Sequence, residues 1–216
     1  MMTKKIEMQN LGLIDYDQAI QKMKDIHQQR VLNTGVDTIL LLQHPAVVTK
    51  GRQLHGKKGA ADDLLVANGI QVREADRGGL LTYHGPGQLV VYFILKFQDY
   101  FSGAQEMVCT IEKTLLQFLE KYQIKANIKT EHPGIWVGQK KIASVGLRIA
   151  NKITMHGIAL NVCNSLDVYQ YFNPCGLSGD TMTSMQQVLQ NKIATDKFDD
   201  MSQELGRDIL NVLNHE

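Results

Sequence analysis

Ile70-Gln-Val-Arg-Glu-Ala-Asp-Arg-Gly-Gly-Leu-Leu-Thr-Tyr-His-Gly-Pro-Gly-Gln-Leu-Val-Val-Tyr-Phe-Ile-Leu95 is the stretch whose reading decides the fold class. Its ends, Ile70 to Arg73 and Leu89 to Leu95, read as strands, separated by a glycine-rich connection. Working outward, Asp37 to Gln43 is another apolar run that suits a buried strand. Asp15 to Arg30 carries Tyr16, Ala19, Ile20, Met23 and Ile26 on one helical face, with Asp15 and Gln18 spaced as a capping box. Asp62 to Ala67 predicts a short helix stopped by Asn68-Gly69, and Ser102 to Tyr122 a long amphipathic one. From Ile124 to Val162, short β segments recur between turn signals; Ser165 to Phe172 and Asp199 to Leu213 predict two further helical stretches. Helices and strands interleave without strict βαβ alternation. The pattern predicts an α+β domain with a mixed sheet flanked by helices.

The chain has 216 residues, 44% hydrophobic and 21% charged, with a formal net charge of +1. That is ordinary globular composition, sufficient for one sizeable core. We expect a single domain over residues 1–216, with the part after about residue 160 at most a small subdomain. Near-neutral charge argues against a nucleic-acid partner. The longest apolar run, Leu89 to Leu95, is far short of the roughly twenty residues that span a bilayer, and no apolar stretch follows Lys4-Lys5. Three cysteines without CxxC spacing disfavour disulfides and a zinc site, so a cytoplasmic location is expected.

The reactive side chains gather around prolines and glycines. Only four prolines occur, and each neighbours a glycine or histidine: His44-Pro45, Gly85-Pro86-Gly87, His132-Pro133-Gly134 and Pro174-Cys175-Gly176. Such pairs lock a loop into one path. Arg77 to Gln88 can bring backbone amides close to a ligand, with Arg77 fixing a carboxylate, phosphate or carbonyl. It has neither a Walker ending nor a GxGxxG fingerprint. Cys175 lies in a loop, where a thiol can react as thiolate; Cys109 and Cys163 read as packing. Either Lys141 or His156 could take the proton of Cys175. Lys140 and Lys141 are neighbours in an extended arm and face opposite ways, so only one can serve.

These segments together resemble the lipoyl(octanoyl) transferases. The likeness rests on Arg77-Gly-Gly-Leu-Leu-Thr-Tyr-His-Gly-Pro-Gly-Gln88, Gly134-Ile-Trp-Val137, Lys141-Ile-Ala-Ser-Val-Gly-Leu-Arg148, His156-Gly-Ile-Ala-Leu-Asn161, and Asn173-Pro-Cys-Gly176 followed by Thr183-Ser184. They come in family order over roughly residues 40 to 190. The resemblance implies the biotin/lipoate protein ligase catalytic fold and an octanoyl transfer from acyl-carrier protein through a cysteine thioester. It implies Cys175 as nucleophile and Lys141 as its partner. It also implies an acyl site built from Arg77, Gly78, Gly79, Leu80, Leu81, Thr82, Tyr83 and His84, from Ser144, Val145 and Gly146, and from His156, Gly157 and Ile158. The implied acceptors are lipoyl domains of 2-oxoacid dehydrogenases and the glycine-cleavage H protein. No cofactor, no metal and no membrane partner are expected, and the chain is expected to act as a monomer. At Gln43-His44-Pro45-Ala46 the family usually has Glu-His-Pro-Pro, so Gln43 and Ala46 are expected to retune the pocket rim.

Three other readings use the same residues differently. An ATP-dependent lipoate-protein ligase would activate a free acid and need no cysteine. A relay amidotransferase would take its acyl group from a lipoylated H protein. A silent module that only binds lipoyl domains or acyl chains would dispense with Cys175 and Lys141.

Overall fold

The computed structural model describes residues 5–59, 61–129, 133–174, 178–190 and 197–214. In chain order they form β1 (Ile6–Leu13), α1 (Tyr16–Val31), β2 (Asp37–Gln43), β3 (Val47–Lys50), α2 (Asp62–Ala67), β4 (Gln71–Glu74), β5 (Leu81–His84) and β6 (Gln88–Ile94). Then follow α3 (Ala104–Lys121), β7 (Asn127–Ile128), β8 (Gly134–Val137), β9 (Lys140–Ala150), β10 (Ile153–Asn161), α4 (Met185–Val188) and α5 (Phe198–Asn214). A seven-stranded sheet runs β1-β2-β6-β10-β9-β8-β7, and a three-stranded sheet runs β4-β3-β5. β1 is parallel to β2 and β4 to β3; the remaining pairs are antiparallel. This is the mixed α+β arrangement expected from the interleaved pattern.

The continuous apolar run of β6 exists because helices cover both faces of the sheet. Leu89, Val91 and Phe93 join Ile39 and Leu41 against α3 and α5. Val90, Tyr92 and Ile94 join Leu40 and Leu42 on the side of α1, with Ala19 and Met23. Alternation of successive side chains thus feeds two cores from one strand. Asp15 caps α1 as expected, its Oδ1 accepting the amides of Asp17 and Gln18 at 2.9 and 3.3 Å.

Three strands differ from the expectation. β1, β3 and β5 lie in stretches with no strand assigned from sequence. β5 falls inside the glycine-rich connection, pairing Val48 with Tyr83 and Val47 with His84. The residues Ser165 to Phe172 supply only one short 3-10 turn, Asp167–Gln170, because their apolar side chains pack beneath the small sheet instead of following a helical period. The C-terminal part packs onto the rest: the Thr183 amide donates to the Lys141 carbonyl at 2.9 Å, and Gly206 lets α5 reach β1 and β2. A Cβ on Gly206 would stand 2.5 Å from Met8 Sδ. No helix among the described residues is long and apolar enough to cross a membrane.

Candidate active site

A cavity of about 640 Å³ opens between the two sheets. Its walls come from the loop before β5, from the exposed face of β9 and β10, and from the first turns of α1 and α3. Val145, Leu147, Ile158, Met107 and Val108 make one side apolar. Of the fourteen residues expected to bind substrate, Arg77, Gly78, Gly79, Leu80, Thr82, His84, Ser144, Val145, Gly146, His156, Gly157 and Ile158 line it. Leu81 and Tyr83 do not line this cavity. They occupy the alternate positions of β5, so the pleat turns them toward Val48, Leu65 and Phe172 beneath the small sheet. Leu81 instead borders a second, narrow cleft with Thr82, Lys141, Ser144 and Pro174.

Lys141 and Lys140 part as the strand period requires. Lys141 is 4% exposed and lines both the cavity and the cleft, whereas Lys140 is exposed. Gly134 shapes the space for Lys141. Its φ is +127°, and a Cβ there would stand 2.6 Å from Lys141 Cε and 2.3 Å from the Ala143 carbonyl oxygen. Glu112, buried on α3, accepts the Gly134 amide at 2.8 Å and so fixes where β8 begins. The Lys141 ammonium lies 5.8 Å from the Trp136 ring centre, within cation–π range. Cys175 lies outside the described residues. Its neighbour Pro174 borders the narrow cleft together with Lys141.

The polar floor is a set of neutral histidines whose tautomers follow from their partners. His84 Nδ1 meets Gln88 Oε1 at 2.7 Å, while Gln88 Nε2 donates to the Tyr83 carbonyl and to Asn161 Oδ1. A carbonyl oxygen only accepts, so His84 carries its proton on Nδ1. By the same logic His44 donates from Nδ1 to the Ile14 carbonyl at 3.0 Å and accepts the Tyr92 hydroxyl on Nε2 at 2.9 Å. Burial holds both imidazoles below the ordinary histidine value, His84 well below it. The chain of bonds runs on from Asn161 Nδ2 to the Thr183 carbonyl at 2.9 Å, which ties the floor to the strand carrying Lys141.

Arg77 lines the cavity while its guanidinium is also held by the protein's own groups. It donates to the carbonyls of Gly78, Thr49 and Leu80 at 2.9, 2.9 and 3.2 Å and to Thr49 Oγ1 at 2.7 Å. The carbonyls it fixes are the protein's own. Gly51 completes that packing, because a Cβ on it would stand 2.2 Å from the Gly79 carbonyl oxygen.

His156 stands well apart from Lys141. It pairs across the ladder with Leu147, six residues along β9 from Lys141, or roughly 20 Å at the usual strand rise. Its partner is Asp76, 2.5 Å from Nε2. Asp76 escaped the sequence reading, as did Tyr16 and Tyr92; only its place directly before Arg77 hinted at it. Gln43 and Ala46 are not at the rim. Gln43 Oε1 accepts the Gly87 amide at 2.7 Å, a bond a glutamate would make equally, so the change removes charge and keeps the contact.

The lipoyl protein ligase A/B catalytic-domain model matches residues 15–204. The chain belongs to that family. An octanoyltransferase from Stutzerimonas stutzeri is 43% identical over 189 residues, covering 88% of this chain and 84% of the relative. The fold is also that of lipoate-protein ligase A bound with ATP, with a TM-score of 0.71 at 14% identity, covering 98% of this chain and 86% of the other. Biotin protein ligase from Aquifex aeolicus aligns with a TM-score of 0.50 at 11% identity, over 99% and 73% of the two chains. The fold shared with lipoate and biotin protein ligases is the one the sequence motifs anticipated.

Proposed function

We propose that this family member is an acyltransferase of protein lipoylation, moving an octanoyl group to a lysine of a lipoyl domain through a thioester on Cys175. The observation that carries the reading is a buried lysine, Lys141, at the junction of an apolar cavity and the cleft bordered by Pro174. Family membership and the octanoyltransferase relative agree with it. The Cys175 thiolate attacks the donor thioester and expels the carrier thiol, which takes a proton. The acceptor lysine amine then attacks the new thioester, an amide forms, and Cys175 leaves as thiolate. Thioester exchange is nearly isoenergetic and amide formation runs downhill, so no ATP enters. Lys141 stabilises the thiolate and passes protons to and from the leaving groups. The apolar wall gains about 0.8 kcal/mol per buried methylene of the acyl chain. Backbone amides of the Gly78-Gly79 loop are suited to the tetrahedral oxyanion.

The donor in this reading is octanoyl-acyl-carrier protein, and the acceptors are lipoyl domains of 2-oxoacid dehydrogenases and the glycine-cleavage H protein. The chain works as one catalytic domain, as a monomer in the cytoplasm. Intact mass after mixing with octanoyl-carrier protein, without ATP, tests it. One octanoyl adduct, labile to hydroxylamine and mapped to Cys175, is expected. Transfer to an acceptor domain only with free acid and ATP would make the chain a ligase.

A further inference from the structure

His156 adopts a backbone conformation that its residue type rarely takes. Its φ is +60° inside β10, a left-handed setting that is strained for a non-glycine residue. Surrounding contacts hold it there. Its amide meets Met23 Sδ at 3.2 Å, its ring stands edge-on to Tyr92 at 5.9 Å, and its Nε2 meets Asp76 Oδ1 at 2.5 Å. The other Asp76 oxygen receives Arg148 from β9, opposite Met155 in the ladder. Asp76 is itself anchored on both sides: the Ala75 amide donates to the Lys50 carbonyl, and the Arg77 carbonyl accepts the Arg52 amide. One carboxylate thus joins the glycine-rich loop to both strands of the cavity wall.

We propose that Asp76 is a positioning residue for octanoyl transfer: it fixes the Nε2–H tautomer and the orientation of His156 and, through Arg148, holds the Gly78-Gly79 loop over the acyl cavity. This rests on the acyltransferase reading of the cavity. A carboxylate can only accept, so the shared proton belongs to His156 Nε2 and leaves Nδ1 as the acceptor of the neutral ring. His156 is 3% exposed, and burial lowers its pKa; Asp76 opposes that, while Arg77 and Arg148 add to it. His84 and Tyr92 also lie beside the ring, and Tyr16 and Lys24 lie near Asp76, Lys24 adding positive charge. The His156 bond, with Arg148 and Lys24 nearby, holds the Asp76 carboxyl at about 2, so it is ionised throughout the working range. The placement of His156 far from Lys141 assigns this pair to chain binding and not to proton transfer at sulfur.

The test follows the His156 ring by 15N NMR in the wild type, Asp76→Asn, Asp76→Glu and Arg148→Gln, alongside octanoyl-transfer kinetics. The wild type is expected to show the Nε2–H tautomer at neutral pH. In Asp76→Asn the His156 pKa is expected to fall by about one unit or more, the Nδ1–H tautomer to appear, and KM for the octanoyl donor to rise about tenfold with a smaller change in kcat. Asp76→Glu should restore part of both, and Arg148→Gln should keep the tautomer. An Nδ1–H tautomer in the wild type overturns the proposal even if Asp76→Asn fails to fold. So does a ring titration in Asp76→Asn that matches the wild type, whatever KM does. If the wild type transfers no octanoyl group, the activity reading fails, and the ring titration alone then upholds or overturns the link between Asp76 and His156.

Discussion

At the residue scale, the strongest expectation concerns Lys141. Its burial beside the cleft, against the exposure of Lys140, is why we propose it as the proton carrier. Lys141→Ala is expected to slow acyl transfer by about 10²–10⁴-fold, the range of general acid–base catalysis, and to shift the pH profile of Cys175 alkylation upward. Lys140→Ala should change neither. An alkylation profile in Lys141→Ala identical to that of the wild type would reassign the role. Gly134→Ala makes an independent test of the same geometry. A methyl group there meets Lys141 Cε and the Ala143 carbonyl, and φ +127° strains any L residue, so activity should fall while Lys141 remains in place in the sequence. The motif made Lys141 legible, because alternation in an extended arm separates neighbours. Asp76 was not legible, since no spacing reveals which histidine a lone carboxylate will meet 80 residues later.

The relevant element is the pair β9–β10. Its ladder puts Gly146 opposite Gly157, and Gly157 in particular depends on the missing side chain. A Cβ on Gly157 would stand 2.0 Å from the Val91 carbonyl oxygen and 2.7 Å from the Phe93 ring, so β10 could not keep its seat against β6. Gly157→Ala is therefore expected to lower stability by about 3 kcal/mol, the upper range for overpacking, measured by denaturant unfolding. A loss within a few tenths of a kcal/mol would mean that the ladder yields without cost. Gly146→Ala meets Arg77 Cδ at 3.3 Å, in a buried side chain held by four hydrogen bonds, so Arg77 must shift and both substrate binding and stability should fall, stability by less than in Gly157→Ala. Long elements such as α1, α3 and α5 were readable because each buries one clear stripe. β3 and β5 were not, because four-residue strands set among glycines gain their identity from pairing with each other.

Over the whole molecule, three buried imidazoles make stability sensitive to acid. His44, His84 and His156 all have folded pKa values below the ordinary value of about 6.5. Below that value the unfolded chain takes up protons that the folded chain refuses, so stability falls as pH falls. Asp76 acts in the same direction lower down: its stabilisation is present above about pH 4 and is lost as pH falls toward its folded value of about 2. Tm should be nearly level above pH 7 and decline steadily below 6.5. A Tm that stays level to pH 5 would show that these rings ionise freely in the folded state. Association behaves differently. With a net charge of only +1, docking of the proposed carrier and lipoyl-domain partners, if these are acidic, would rely on local cations such as exposed Arg52, which lines the cavity. Initial rates at limiting partner should fall as salt rises, and rates independent of salt would remove steering from the picture.

The sequence by itself determined the fold class and named the segments proposed to carry chemistry. Apolar periodicity and turn chemistry are local, so Asp37 to Gln43, Leu89 to Leu95 and the three long helices could be read from their own residues. Ordered motifs around Arg77, Lys141, His156 and Cys175 pointed to acyl transfer through their resemblance to a known family. Only the tertiary structure decided how those motifs divide the work. Pairing register put His156 at the far end of the cavity from Lys141, and the pleat of β5 turned Leu81 and Tyr83 away while Thr82 and His84 faced inward. Folding also turned Arg77 onto the protein's own carbonyls and brought Asp76 to His156. Those outcomes depend on contacts between residues far apart in the chain, where register and twist, not local preference, set what touches what.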